Sequence, residues 1–211
     1  MRYFAAAVAL VFALSTGAAA QLGGRPADEW VKTLETPERI QSLKMDEVIQ
    51  KLSIRPGSVV ADIGAGTGLF EGALAKATGN NGTVYAEDID QELLNRISSR
   101  AKDLNVTNVK TVLGGFTDPK LPGKNVDLAL INDVLHHIQD RAAFLKSLGG
   151  YIRPGGRIAV IDYYPERGGH RTQPELQITK EQTADWMAAA GFKKSAEFEL
   201  FPDKWFIVYS R

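Results

Sequence analysis

The sequence predicts an α/β fold with a mostly parallel sheet and helices on both faces. Three observations predict it. Residues 58–77 read as a buried strand, a glycine turn and a helix. Downstream, short apolar runs alternate with stretches whose apolar residues recur every three or four positions, the pattern of repeated βα units. At the far end, Ala196 to Phe201 and Trp205 to Tyr209 flank Pro202-Asp203-Lys204, which predicts a hairpin at the sheet edge. A chain of 211 residues is long enough for one domain with a full core.

The chain begins with one basic residue, Arg2, and an apolar stretch from Phe4 to Leu14. Ser15-Thr16-Gly17 breaks it, and Ala18-Ala19-Ala20 offers a small-x-small cleavage site before Gln21. That layout predicts a cleavable secretion signal over residues 1–20 and an exported protein, periplasmic or secreted. Its apolar core is short for a membrane span, so no stable span is expected after cleavage; the alternative is an uncleaved anchor helix. Residues 21–35 read as a linker and N-terminal helix, and 36–211 as the main domain. Glu29 to Leu52 is helical in pattern with a break at Thr36-Pro37, where Thr36 is expected to cap a new helix. This segment is expected either to cover the site as a lid or to pack on the sheet edge.

Val59 to Ile63 is the first predicted strand and Leu69 to Ala77 its helix. Thr83 to Glu87 is the second strand, and Gln91 to Leu104 a helix with Leu93, Leu94, Ile97 and Ala101 on one face. Val109 to Leu113 and Val126 to Ile131 are the third and fourth strands, separated by a loop with two prolines and three glycines. Asp133 to Leu148 is expected to be mostly helix. Arg157 to Asp162 is the fifth strand, entered through Arg153-Pro154-Gly155-Gly156. Tyr163 to Gln177 is a long loop of the kind that often carries function. Thr179 should cap the next helix with Gln182 completing a capping box, and Gly191 should stop it.

Composition removes several function classes. Lys+Arg and Asp+Glu are both 25, so the formal net charge is zero and no basic run points to nucleic acid. There is no cysteine, hence no disulfide, thiolate metal site or cysteine nucleophile. The three histidines show no His-x-x-x-His spacing, and no metal site is expected.

The glycine turn carries the chemistry. Gly64, Gly66 and Gly68 stand at alternate positions after a strand that ends in Asp62-Ile63. Glycine permits positive φ and lets a ligand touch bare backbone, and the helix that follows offers free N–H groups. A dinucleotide fingerprint would need its third glycine at position 69, which is Leu69, and no Gly-Lys-Ser/Thr follows. The pattern Asp-x-Gly-x-Gly-x-Gly resembles the first motif of class I methyltransferases that use S-adenosyl-L-methionine (SAM). The resemblance covers roughly residues 40–211. It implies a Rossmann-like, seven-stranded, mostly parallel sheet in the order 3-2-1-4-5-7-6, with an antiparallel terminal hairpin.

The residues have their own logic beside that resemblance. SAM presents a ribose diol, an adenine, an amino-acid tail and a sulfonium. A carboxylate can accept both hydrogen bonds of a diol. The resemblance places that acid at Asp88, with Glu87 expected to face the other side of the strand. Asp62 is expected to meet the ammonium of the tail or to cap the glycine loop itself. After the third strand many relatives have Gly-Asp-Ala, whereas this chain has Gly114-Gly115-Phe116, so Gly115 takes the acid's place. Backbone at Gly115 and Phe116 and the ring of Phe116 are then expected to meet the adenine, with Asp118 as a substitute acid.

Ile131-Asn132-Asp133-Val134-Leu135-His136-His137 resembles the acceptor-facing motif of small-molecule methyltransferases. Asn132 and Asp133 are expected beside the transferable methyl. Methyl transfer needs orientation and a dry cavity, and a base only where the acceptor must lose a proton. Asp140, four residues after His136, is expected to pair with it on a helix surface, leaving His137 inward. Asp162, Tyr163 and Tyr164 are expected to line the acceptor pocket. The expectation is therefore a methyltransferase with SAM as cofactor and a small-molecule methyl acceptor. The rival is the same fold without turnover, used as a nucleoside-binding or sensing module, because SAM is made in the cytosol. The sequence says nothing of oligomeric state.

Overall fold

The computed structural model describes residues 26–211. The expected signal over residues 1–20 and the start of the linker lie outside the described residues. Seven strands form one sheet: β1 (Val59–Ile63), β2 (Thr83–Asp88), β3 (Val109–Leu113), β4 (Val126–Asn132), β5 (Ile152–Tyr163), β6 (Lys193–Phe198) and β7 (Lys204–Ser210). Their order is 3-2-1-4-5-7-6. β1 to β5 pair in parallel, and β7 runs antiparallel to both β5 and β6. This is the order that the motif resemblance implied.

Successive side chains of a strand point to opposite faces, and the central strands are apolar on both. Ala61 of β1 and Ala129 and Ile131 of β4 enter one core, with Phe144, Leu148 and Val160. Val60, Leu128 and Leu130 enter the other, with Leu74 and Phe206. Both faces are therefore closed by helices. The strand order reverses between β1 and β4, and a crevice at the carboxyl ends of such strands is where ligands bind in open α/β sheets.

The N-terminal segment forms three short helices: α1 (Ala27–Leu34), α2 (Pro37–Ser42) and α3 (Met45–Leu52). Thr36 caps α2 by accepting from the Arg39 backbone N–H at 3.3 Å, as its sequence position predicts. A second break falls at Lys44, whose φ of +46° is left-handed. After β1 comes α4 (Glu71–Thr78), and after β2 comes α5 (Gln91–Asp103), capped by Asp90. The last helix, α7 (Lys180–Ala189), carries the predicted capping box of Thr179 and Gln182.

Three expectations are corrected. Residues 133–148 are not one helix: Asp133 takes a left-handed φ of +56°, a 3₁₀ turn covers Leu135–His137, and α6 (Arg141–Gly149) begins only after Asp140. The reason lies in Asp140, whose carboxylate accepts from the Ala143 N–H at 3.0 Å and starts a fresh helix there. β5 begins at Ile152, so the Arg153-Pro154-Gly155-Gly156 turn is absorbed into the strand, with a register shift between Val126 and Leu128 of its neighbour. β6 ends at Phe198 rather than Phe201. Among the described residues no helix is long and apolar enough to cross a membrane.

Candidate functional site

A cleft opens at the carboxyl ends of β1, β2 and β4. Its cavity volume is about 200 Å³. Asp62, Gly64, Gly66, Asp88, Gly115, Phe116, Asn132, Asp133 and His137 all line it. Gly68, the remaining glycine of the turn, sits behind that wall. A Cβ there would lie 2.9 Å from Ile97.

The turn needs its glycines for two reasons. Gly64, Gly66 and Gly68 all have positive φ, at +65°, +58° and +79°. At Gly64 there is also no room, since a Cβ would lie 2.6 Å from a methyl of Val134. Val134 belongs to the exit of β4, so the two loops that frame the cleft touch over bare backbone.

Four buried acids stand behind this cradle. Asp88 accepts from the Gly66 N–H at 2.8 Å and the Asp90 N–H at 3.0 Å, one bond to each oxygen. Each oxygen keeps a second lone pair, so the carboxylate is both fixed and still able to accept from a ligand. Burial raises its pKa, against the hydrogen bonds from backbone that favour its charge. Glu87 is buried too, rather than turned away as expected. Its Oε2 accepts from the Gly64 N–H at 3.2 Å, and its Oε1 occupies the space that a Cβ on Gly114 would fill. Burial and the neighbouring Asp88 push Glu87 up to about 8.

Asp62, 4% exposed, faces a partner that the sequence reading did not single out, Glu71. Burial holds Asp62 well above the usual carboxylate range, and the Glu71 carboxylate beside it adds to the effect. Burial pushes Glu71 itself up to about 7. Neither Glu71 oxygen has a hydrogen-bond acceptor or donor in good geometry. Buried carboxylates so arranged are costly unless they are protonated or meet a cation. Glu71 escaped notice because an acid in the first turn of a helix ordinarily answers only the helix dipole.

The cleft is roofed by the N-terminal helices. Trp30, Leu34, Arg39 and Leu43 line it, while Val48 and Leu52 of α3 pack into the core on the sheet face, so the segment both covers the cleft and packs on the sheet. Glu35 ties the roof down through Arg100 at 3.0 Å and Arg96 at 3.4 Å, and Arg100 also donates to the Thr67 carbonyl of the glycine turn at 3.1 Å. Phe116 stands at the mouth, 57% exposed, and is not a core residue. Asp118 is not at the cleft: it accepts from Tyr151 Oη at 2.8 Å and from the Lys120 N–H. A carboxylate so engaged cannot substitute for the missing acid at Gly115.

On the other side of the cleft, Asp133 is held as one member of an ion cluster. Its Oδ2 accepts from Lys204 at 2.8 Å and from Arg39 at 3.2 Å, while its Oδ1 has no partner. Burial opposes the charge of Lys204, but the adjacent Asp133 outweighs it and the lysine pKa is raised. Lys204 was read only as a turn residue of the hairpin. The expected His136–Asp140 pair is not formed. His136, 3% exposed, instead places Nδ1 2.7 Å from Asp162 Oδ1, and Asp140 caps α6. His137 lines the cleft, and burial together with the two other imidazoles lowers its pKa to about 3, so it stands there neutral. Tyr163 and Tyr164 border a separate small cavity with His136, Asp162 and His170.

The arrangement suits a ligand with a cationic centre for the buried acids, a diol for Asp88, and a flat face for Phe116. Comparison with known proteins bears on which ligand that is. The sequence signature described as "Methyltransferase domain" matches residues 54–201. An uncharacterised 37.1 kDa transposon protein of Streptomyces fradiae is 31% identical over 163 residues, covering 73% of this chain and 44% of that protein. A demethylmenaquinone methyltransferase of Geobacillus sp. WCH70 is 25% identical over 117 residues, covering 56% of this chain and 50% of that enzyme. The chain thus spans about half the length of the curated relatives it matches. Among solved structures, a SAM-dependent methyltransferase from Aquifex aeolicus superposes with a TM-score of 0.79 at 23% identity, over 88% of this chain and 98% of that one. At that identity the likeness speaks for the fold, whereas the signature spans the glycine turn, the acids of β2 and the exit of β4 alike. On that match the chain belongs to the methyltransferase-domain family.

Proposed function

We propose that the chain is a SAM-dependent methyltransferase acting on a small, largely apolar acceptor. The observation that carries this reading is the glycine cradle backed by Asp62, Glu71 and Asp88 inside one cleft. Buried acids without a direct ion pair, Glu71 feeling only the more distant Arg100, are stabilised by a ligand that brings its own cation, which both the ammonium and the sulfonium of SAM do. Asp88, fixed by two backbone donors, suits the ribose diol. Phe116 offers an exposed ring to the adenine, and Gly115 leaves that edge to backbone groups.

Bound SAM supplies an electrophilic methyl on sulfur. The protein's part is then to orient the acceptor and keep water out. Leu34, Leu43, Ile138 and Phe144 give the remaining wall its apolar character, with Trp30 among them. Asn132 and His137 are the polar groups that would fix the acceptor's direction, and Asp133 Oδ1 is a free acceptor near them. Asn132, His137 and Asp133 would orient the acceptor toward that methyl, and one of them or solvent would take the acceptor's proton where it has one to lose. The demethylmenaquinone enzyme among the relatives is named for a quinone, and this wall would accommodate a flat, apolar acceptor of that kind.

Export belongs to the same proposal. The leader at residues 1–20 supports it, and the mass of the mature N-terminus in fractionated cells tests it. Function is tested by calorimetry with SAM and its demethylated product S-adenosylhomocysteine, then by methyl release across an acceptor panel. Binding of both with turnover of at least one aromatic or other apolar acceptor supports the enzyme. Binding without turnover supports the sensing module, and binding of neither ends both readings.

A further inference from the structure

The chain has three histidines, and the fold brings all three together although His170 is 33 positions from His137. One nitrogen from each of His136, His137 and His170 lies within 4.8 Å of the others. Ring centroids stand 4.0 Å apart for His136 and His137, 4.9 Å for His136 and His170, and 5.3 Å for His137 and His170. Three imidazoles on a tetrahedral zinc, with Zn–N of about 2.0–2.1 Å, have centroids about 5 Å apart. The rings are thus already grouped as such a centre needs, and an imidazole swing of about an ångström would bring the nitrogens to bonding distance.

The hydrogen bonds around the cluster leave one ring nitrogen of His136 and one of His170 for a ligand. Asp162 can only accept, so the His136 Nδ1 beside it at 2.7 Å carries the proton and its Nε2 is the lone-pair nitrogen. That Nε2 is buried without a partner. His170 Nδ1 is likewise 2.7 Å from Gln173 Oε1, an acceptor, so Nδ1 is the donor and Nε2 is the nitrogen that faces a ligand. A carboxylate or amide oxygen on the far nitrogen of each ring is the outer shell that orients metal-binding histidines. Arg141 holds the two loops together, donating to the carbonyls of His136 at 2.6 Å and Glu175 at 2.9 Å. His136 and His170 also border a cavity of about 10 Å³, room for about one water or one ion.

We propose that His136, His137 and His170 form a binding site for one divalent first-row transition ion of the zinc type. A neutral three-imidazole set prefers such an ion over Mg²⁺ or Ca²⁺, and three protein ligands leave a fourth position for water or an oxygen of a bound molecule. His137 also lines the main cleft, so the ion would sit behind the acceptor wall. The site stands on the histidine geometry alone and does not depend on SAM.

The test uses the full chain without a histidine tag, stripped with chelator and refilled. Zn²⁺ and Co²⁺ uptake is measured by elemental analysis and by the visible absorption of Co²⁺. The expected result is one equivalent, a four-coordinate cobalt spectrum, and no displacement by millimolar Mg²⁺. His170→Ala, on a loop, should weaken binding at least 100-fold with the melting temperature of the metal-free protein kept. Asp162→Asn should weaken it roughly 10- to 100-fold. No uptake, displacement by Mg²⁺, or wild-type affinity in His170→Ala overturns the site, and none of these outcomes touches SAM binding.

Discussion

Lys204 Nζ lies 2.8 Å from Asp133 Oδ2 with both side chains buried, which ties the start of β7 to the exit of β4 beside the cleft. Arg39 of α2 joins the same oxygen, so lid, acceptor loop and terminal hairpin meet at one carboxylate. Removing one partner of a buried pair strands the other, at about 3–5 kcal/mol. Lys204→Met should therefore destabilise the protein by about 3 kcal/mol, the low end, because Arg39 remains. The double variant Lys204→Met with Asp133→Asn should recover more than half of that loss. Urea unfolding of the four proteins measures the coupling, and additive losses would mean that the pair is not the strut described.

Asp88 is held by the Gly66 and Asp90 backbone N–H groups, so its carboxylate is aimed before any ligand arrives. Asp88→Asn keeps the shape but removes the charge and one acceptor. SAM and S-adenosylhomocysteine carry the same ribose, so both should bind more weakly by about 1–3 kcal/mol, to the same degree. Calorimetry decides it. A loss confined to SAM would mean that Asp88 senses the sulfonium instead.

What the sequence disclosed follows from where the physics is local. β1 and its glycine turn were legible because an apolar run and three alternate glycines permit few other structures, and a βα repeat constrains the rest of the sheet. Asp88 and Phe116 were legible because they follow strand ends in the order that the motif implied. The exit of β4 was not, since Val134, Leu135 and Ile138 imitate helical spacing, which Asp133's left-handed φ, the extended Ile138 and the Asp140 cap interrupt. Lys204 and Glu71 hid in roles that lysines in turns and glutamates in first helical turns fill everywhere. His170 could not be placed by spacing at all, because its neighbours are created by a long loop folding back, held by Arg141 and by Gln177.

Gly64 offers a test that separates conformation from space. Its φ of +65° costs an L-residue about 1–2 kcal/mol, and its Cβ would in addition meet both methyls of Val134, at 2.6 and 2.7 Å. Gly64→Ala should destabilise by more than the conformational part and abolish measurable SAM binding. Adding Val134→Ala removes both methyls and should relieve the clash with them but not the strain, leaving a deficit of about 1–2 kcal/mol against Val134→Ala alone. Thermal unfolding of the cycle checks it, and no rescue by Val134→Ala would show that the two loops do not meet as described.

The Asp62–Glu71 pair makes both stability and ligand affinity depend on pH, in opposite directions. Glu71 is pushed up to about 7 in the folded protein, against about 4.5 when unfolded. Between those values the folded state binds the extra proton, so stability falls as pH rises. The contribution is complete below about pH 4.5 and gone above about pH 7, and it amounts to roughly 3 kcal/mol for a shift of this size. Glu71→Gln should reduce the slope of that stretch of the melting-temperature profile, leaving the part from Asp62, Asp88 and Glu87, whose pKa values burial also raises. A cationic ligand gains from the same ionisation. SAM affinity should rise from pH 6 to 8, and rise less in Glu71→Gln, while S-adenosylhomocysteine, without the sulfonium, should follow more weakly. An affinity for SAM that is flat over this range in the wild-type protein would mean that these carboxylates do not meet the ligand's positive charge.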